Sequence, residues 1–120
     1  MLIKETNAGR SEKINFIDRN DNFVGYDWSG QCCESFGYYF ATEVTEHEPP
    51  HHPEHEGFYF DTSVSAIDVE YTGKYTDEDA GVAFKCINDA GAVIYLHLTN
   101  SHNGYYSHGW ESSFAGEGSL

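Results

Sequence analysis

Bases are scarce in this chain. Of its 120 residues, six are Lys or Arg and 20 are Asp or Glu, a formal net charge of −14. Binding nucleic acid through the phosphate backbone needs a basic patch, and six cations do not make one. An anionic membrane surface repels such a chain for the same reason. Four of the bases (Lys4, Arg10, Lys13, Arg19) lie near the N-terminus, whereas residues 43–79 hold eleven acids and only Lys74. That acidic middle is read either as a face for a basic protein partner or as charge that keeps a ring-rich chain in solution.

Cysteine is also sparse. There are three, two of them adjacent, and an odd count excludes a simple secreted disulfide framework. No Asn-x-Ser/Thr acceptor occurs. Met1-Leu2-Ile3-Lys4 turns polar at once, and no apolar run approaches membrane-spanning length. The expectation is a cytoplasmic protein with reduced thiols. The catalytic signatures that spell a reaction are missing too: there is no phosphate-binding Gly loop, no HExxH, no paired CxxC and no nucleophile elbow. Gly25, Gly30 and Gly37 have the wrong spacing for a dinucleotide fingerprint.

Rings and glycines take the place of aliphatic helix formers. Nine Tyr, eight Phe, two Trp and twelve Gly favour strands and turns over helices. Residues 13–18 and 23–28 flank the turn cluster Arg19-Asn20-Asp21-Asn22 and read as a hairpin. Phe36, Tyr38, Phe40, Thr42 and Val44 share one face at period two. Phe58 to Tyr71 is a long β-type run whose apolar phase shifts between Ala66 and Ile67, which predicts a bulge or sharp bend. Residues 82–88 and 92–99 flank Asp89-Ala90-Gly91 and form the clearest hairpin, with Val82, Phe84 and Cys86 on one face. The expected fold is mainly β, a small antiparallel sheet curled into a barrel or sandwich, with little helix. One domain spans 13–112. Residues 1–12 read as a loose arm or weak edge strand, and 113–120 as a flexible tail. Nothing in the pattern specifies an oligomeric state.

Three groups of residues carry chemistry. Adjacent Cys32 and Cys33 point to opposite faces of an extended chain, so they do not easily chelate one metal. A thiolate and Glu34 become a site only if a base such as His102 or His108 meets them. The stretch 45–57 holds all three prolines with four His and four Glu, and reads as a solvated surface loop. No cofactor is expected. The alternative is weak, adventitious binding of zinc or another divalent transition metal by His51, His52 and His55. After Leu98, Asn103-Gly104 signals a turn, and Tyr105, Tyr106 and Trp110 set rings on both faces of a returning strand. With Trp28, these rings either stack on a partner or cap the fold. Cys86, in phase with Val82 and Phe84, belongs to the core.

The stretch Gly25-Tyr26-Asp27-Trp28-Ser29-Gly30-Gln31-Cys32-Cys33-Glu34-Ser35, with His102-Asn103-Gly104-Tyr105-Tyr106-Ser107 downstream, resembles a family of small uncharacterised domains of bacteriophages and bacteria. These carry a QDCCE-like segment and a C-terminal SNGYYS-like segment. The chain departs from that pattern at Gly30, where the family often has a polar residue or His, and at His102, which replaces Ser. The resemblance implies a phage or mobile-element accessory protein, in the host cytoplasm or on the virion, and carries no activity with it. The leading expectation is therefore a protein-binding or structural module. An acidic nucleic-acid mimic that blocks a host DNA-binding or defence protein is the alternative. A metal- or thiol-dependent enzyme using Cys32, Cys33, Glu34, Asn103, Tyr105, Tyr106 and His108 is a third.

Overall fold

Alternating apolar and polar residues set the strands, and the computed structural model shows how they pair. It describes residues 1–8, 11–27, 35–70, 80–101 and 108–120. Ten strands and no helix occur among the described residues. They are β1 (Leu2–Ala8), β2 (Ser11–Ile17), β3 (Phe23–Asp27), β4 (Ser35–Ala41), β5 (Tyr59–Phe60), β6 (Ile67–Glu70), β7 (Ala80–Ile87), β8 (Val93–Ser101), β9 (Gly109–Ser112) and β10 (Glu117–Ser119). One antiparallel sheet has the order β1-β2-β3-β9-β10. The other runs β4-β8-β7-β5, with β6 also on β7. The sheets lie face to face as a sandwich and do not close into a barrel.

The core lies between them. Ile14, Phe16, Val24 and Tyr26 from the first sheet meet Phe40, Val82, Phe84, Cys86, Leu96 and Leu98 from the second. Phe16 packs edge-on against Tyr38 at 5.0 Å, and Phe84 against Trp110 at 5.2 Å, so rings join the two layers. The hairpin expected at 82–99 is β7–β8, with Val82 opposite Leu98 and Cys86 opposite Ile94. Cys86 is fully buried, and burial pushes its thiol up to about 12.

The apolar phase shift falls where the long run breaks. β5 and β6 pair along the same strand, Phe60 with Cys86 and Ile67 with Ala83, and residues 62–66 leave it between them, after Asp61 N–H donates to the Lys85 carbonyl. Asp61 organises that excursion by accepting from Ser63 N–H at 3.1 Å.

The N-terminal segment forms an edge strand, and the tail departs from the flexible reading. Residues 1–12 hold β1, paired with β2 from Leu2–Ile17 to Ala8–Ser11. The tail read as flexible holds β10, paired with β9, and Leu120 exchanges both backbone hydrogen bonds with His108. Apolar burial explains both outcomes, because Ile3, Phe114, Ala115 and Leu120 pack against the core.

Two turns with the same chemistry close one end of the sandwich. Asp18 Oδ1 accepts from the N–H groups of Asn20 and Asn22 at 2.9 Å, and Asn88 Oδ1 accepts from Ala90 and Ala92 at 3.1 and 2.9 Å. Asp21 and Gly91 take the positive φ that each turn needs. Asp18 is buried, and its Oδ2 accepts from Phe60 N–H at 2.9 Å, tying the first sheet to β5 of the second. Arg19 bridges the turns by pairing with Asp89 while lying 4.4 Å above the Tyr59 ring.

Candidate functional site

The two motifs singled out in the sequence leave the sandwich at its other end. The Cys-Cys segment connects β3 to β4, and the Asn-Gly-Tyr-Tyr segment connects β8 to β9. Ser35 and Ser101, one from each boundary, are directly opposed in the β4–β8 ladder. At the other boundary His108 donates from Nδ1 to the Asp27 carbonyl at 2.8 Å. Tyr26 O–H donates to the Thr99 carbonyl at 2.7 Å, so the sheets are joined just beneath. Asn100 Nδ2 donates to the Leu120 carbonyl at 3.0 Å and ties in the last strand. Glu70 opposes Ala80, and Ala80 opposes Asn100, so the β6–β7 connection also leaves from this end. The four strand ends at the motif boundaries are thus fixed to one another by ladders and by buried polar side chains.

Cys32, Cys33, Glu34, Asn103, Tyr105, Tyr106 and Trp28 lie outside the described residues. His108 is described and is 1% exposed. Its bond to Asp27 and its ring contact with Tyr26 make it a brace beneath the motif boundary. Trp110 is half-buried and packs on Phe84. Its indole also lies across Gly118, where a Cβ would stand 2.7 Å from Nε1.

Beside the motif boundary is an open groove of about 340 Å³ on the outer face of the first sheet. Tyr26 and Trp110 oppose each other and point inward, so their neighbours Gly25, Asp27, Gly109 and Glu111 face out. The glycines leave the hollow, and Glu12, Asp27, Glu111 and Glu117 line it. Among the described residues that line it, Lys13 is the single cation, bonded to Glu111 at 2.6 Å.

The His-, Pro- and Glu-rich segment 45–57 is a surface loop with most of its residues exposed, but it is not detached from the sheet. It folds over β4, a terminal strand of the second sheet. Tyr39 O–H donates to the Thr45 carbonyl at 2.5 Å, and Thr45 N–H donates to His97 Nε2 at 3.2 Å. His52 lies toward the Tyr39 ring at 6.4 Å, while His55 stacks on Phe40 at 4.9 Å. Tyr39 and Phe40 point to opposite faces, so the loop grips the strand from both sides. His51 is exposed. Among the described residues, no three His, Cys, Asp or Glu converge as a metal-binding group.

His97 and Asp18 are the polar residues that pattern reading missed. His97 alternates with Leu96 and Leu98, so periodicity puts it on the outer face and implies exposure. The loop buries it completely. Burial lowers its pKa to about 4, against the opposing pull of the Tyr95 and Tyr39 backbone. Asp18 carried one visible signal, its place ahead of an Asn- and Asp-rich turn.

Among the described residues no helix is long and apolar enough to cross a membrane. No protein-family model, curated protein or solved structure matches the chain.

Proposed function

We propose that this chain is a small acidic protein-binding module, and that its partner engages the end of the sandwich from which the two motifs leave. The observation that supports this most is the convergence of the motif boundaries, with Ser35 opposite Ser101 and Asp27 against His108. Connections gathered at one end of a rigid sandwich are where such folds place recognition. Among its described lining residues the adjoining groove adds four carboxylates against one lysine, which suits a Lys- or Arg-bearing segment of the partner. The phage or mobile-element accessory role belongs to the same proposal and draws on the resemblance alone.

The test compares the two ends of the molecule. A photo-crosslinking side chain at Glu117, in the groove, is expected to capture a partner that the same group at Ala90, in the far turn, does not. The captured protein is then purified and titrated. Cys33→Ser and Tyr105→Ala are expected to weaken its binding without moving the thermal midpoint, and added salt is expected to weaken it further. Equal capture from both ends, or full binding by both motif variants, overturns the proposal.

A further inference from the structure

The loop 45–57 is fastened at Thr45 by both of its backbone groups. Its carbonyl accepts from Tyr39 O–H, and its N–H donates to His97 Nε2. His97 Nδ1 lies 3.2 Å from the Tyr95 carbonyl, which only accepts, so Nδ1 carries the ring hydrogen. Nε2 must then be bare, because the Thr45 N–H only donates. The Tyr39 ring lies flat against the imidazole at 4.4 Å and 13°. This arrangement accommodates neutral histidine only. A second ring proton would point at the Thr45 N–H, on a side chain that is buried from solvent.

We infer that His97 is an acid-sensitive latch: protonation of its Nε2 breaks the Thr45 clasp and lifts loop 45–57 from the β4 edge while the sandwich core stays folded. The titratable and charged groups on the surrounding elements do not rescue the charged ring. The Tyr39 hydroxyl on β4 is a neutral donor already committed to Thr45, and the Tyr39 backbone, like that of Tyr95, favours the charged ring without offsetting its burial. Lys85 on β7, opposite Tyr95, is itself a cation and lies toward Asp61 at 3.6 Å. On the loop, Glu46 lies near His47 at 3.5 Å and Glu48 near His52 at 3.7 Å, so these carboxylates are directed to other imidazoles and not to His97.

The shift sets the expected response. A latch histidine held near 4 and returned on opening to its ordinary 6.5 makes opening more favourable by about tenfold per pH unit between those values, approaching ~300-fold in all. The measurement is amide exchange from pH 7.5 to 4, with each rate corrected for its intrinsic pH dependence. The protection of Thr45 is expected to fall by about two orders of magnitude, while that of Phe84 and Leu96 in the core holds. His97→Gln keeps an acceptor without the basicity and is expected to flatten the Thr45 profile. Three results overturn the inference: Thr45 protection that stays constant to pH 4, loop and core amides that lose protection together, or an unchanged acid profile in a folded His97→Gln protein. If that variant does not fold, the wild-type comparison of Thr45 with Leu96 decides the matter alone.

Discussion

Replacing Asp18 tests whether a single carboxylate joins the two sheets. The side chain is 5% exposed and accepts three backbone hydrogen bonds, two from its own turn and one from Phe60. In Asp18→Ala the turn N–H groups of Asn20 and Asn22 can recover water. The Phe60 N–H cannot, because that residue is 2% exposed and held in the ladder with Cys86. One buried donor left unpaired costs about 1–3 kcal/mol, and losing two charge-assisted turn bonds adds about 1–2 kcal/mol after rehydration. The expected loss is therefore about 2–5 kcal/mol, read as a lower urea midpoint at unchanged m. Asp18→Asn keeps the oxygen that serves the turn but sets an amide donor against Phe60 N–H, so a loss of about 2 kcal/mol is expected. The opposing term is the desolvation of the carboxylate itself. If both variants fall within about 0.5 kcal/mol of wild type, the ordinary scatter of surface changes, then the three bonds only offset that desolvation and the reasoning is refuted.

Other consequences follow from burial and close packing. The Cys86 thiol, ordinarily near 9, is held near 12, so the unfolded chain releases this proton first as pH rises. Wild type should lose stability relative to Cys86→Ala from pH 9 upward, by about 2 kcal/mol at pH 10.5, in paired urea titrations. A pH-independent difference contradicts this. In native protein at pH 8, Cys86 should also resist alkylation until the chain unfolds, as mass spectrometry of labelled peptides would show. Gly118→Ala must displace the Trp110 indole from its contact with β10, at a cost of about 1–3 kcal/mol seen as a lower thermal midpoint. A midpoint at or above that of wild type would show that the indole gives way freely.

Period-two alternation made the main strands legible, because burying one face against a second sheet requires it. The Val82, Phe84 and Cys86 face, the turn at 89–91 and the break before Ile67 could all be read from side-chain types. The short strand β10 could not be. Its Glu117-Gly118-Ser119 has no apolar pattern, and it pairs because Phe114 and Leu120 on either side of it pack, partly buried, against the core. His97 was illegible for a different reason. Alternation assigns a residue to a face but does not say what covers that face, and the cover here is a polar loop some fifty residues earlier in the chain. The convergence of the motif boundaries was likewise hidden, since it depends on which strands pair and not on the composition of the motifs.

The first sheet is assembled from opposite ends of the chain, and this has a consequence for timing. β1, β2 and β3 form a local meander, and β7 and β8 a local hairpin, so both can form early. The far edge of β3 is different. Phe23 N–H waits for Ser113 Oγ, 90 residues later, and Val24 and Tyr26 wait for Ser112 and Trp110. Until then β3 presents a bare, ring-bearing edge that another chain could pair with. Anything that delays the docking of residues 109–119 prolongs that interval. The docking of β9 and β10 therefore acts as protection of that edge against misassembly.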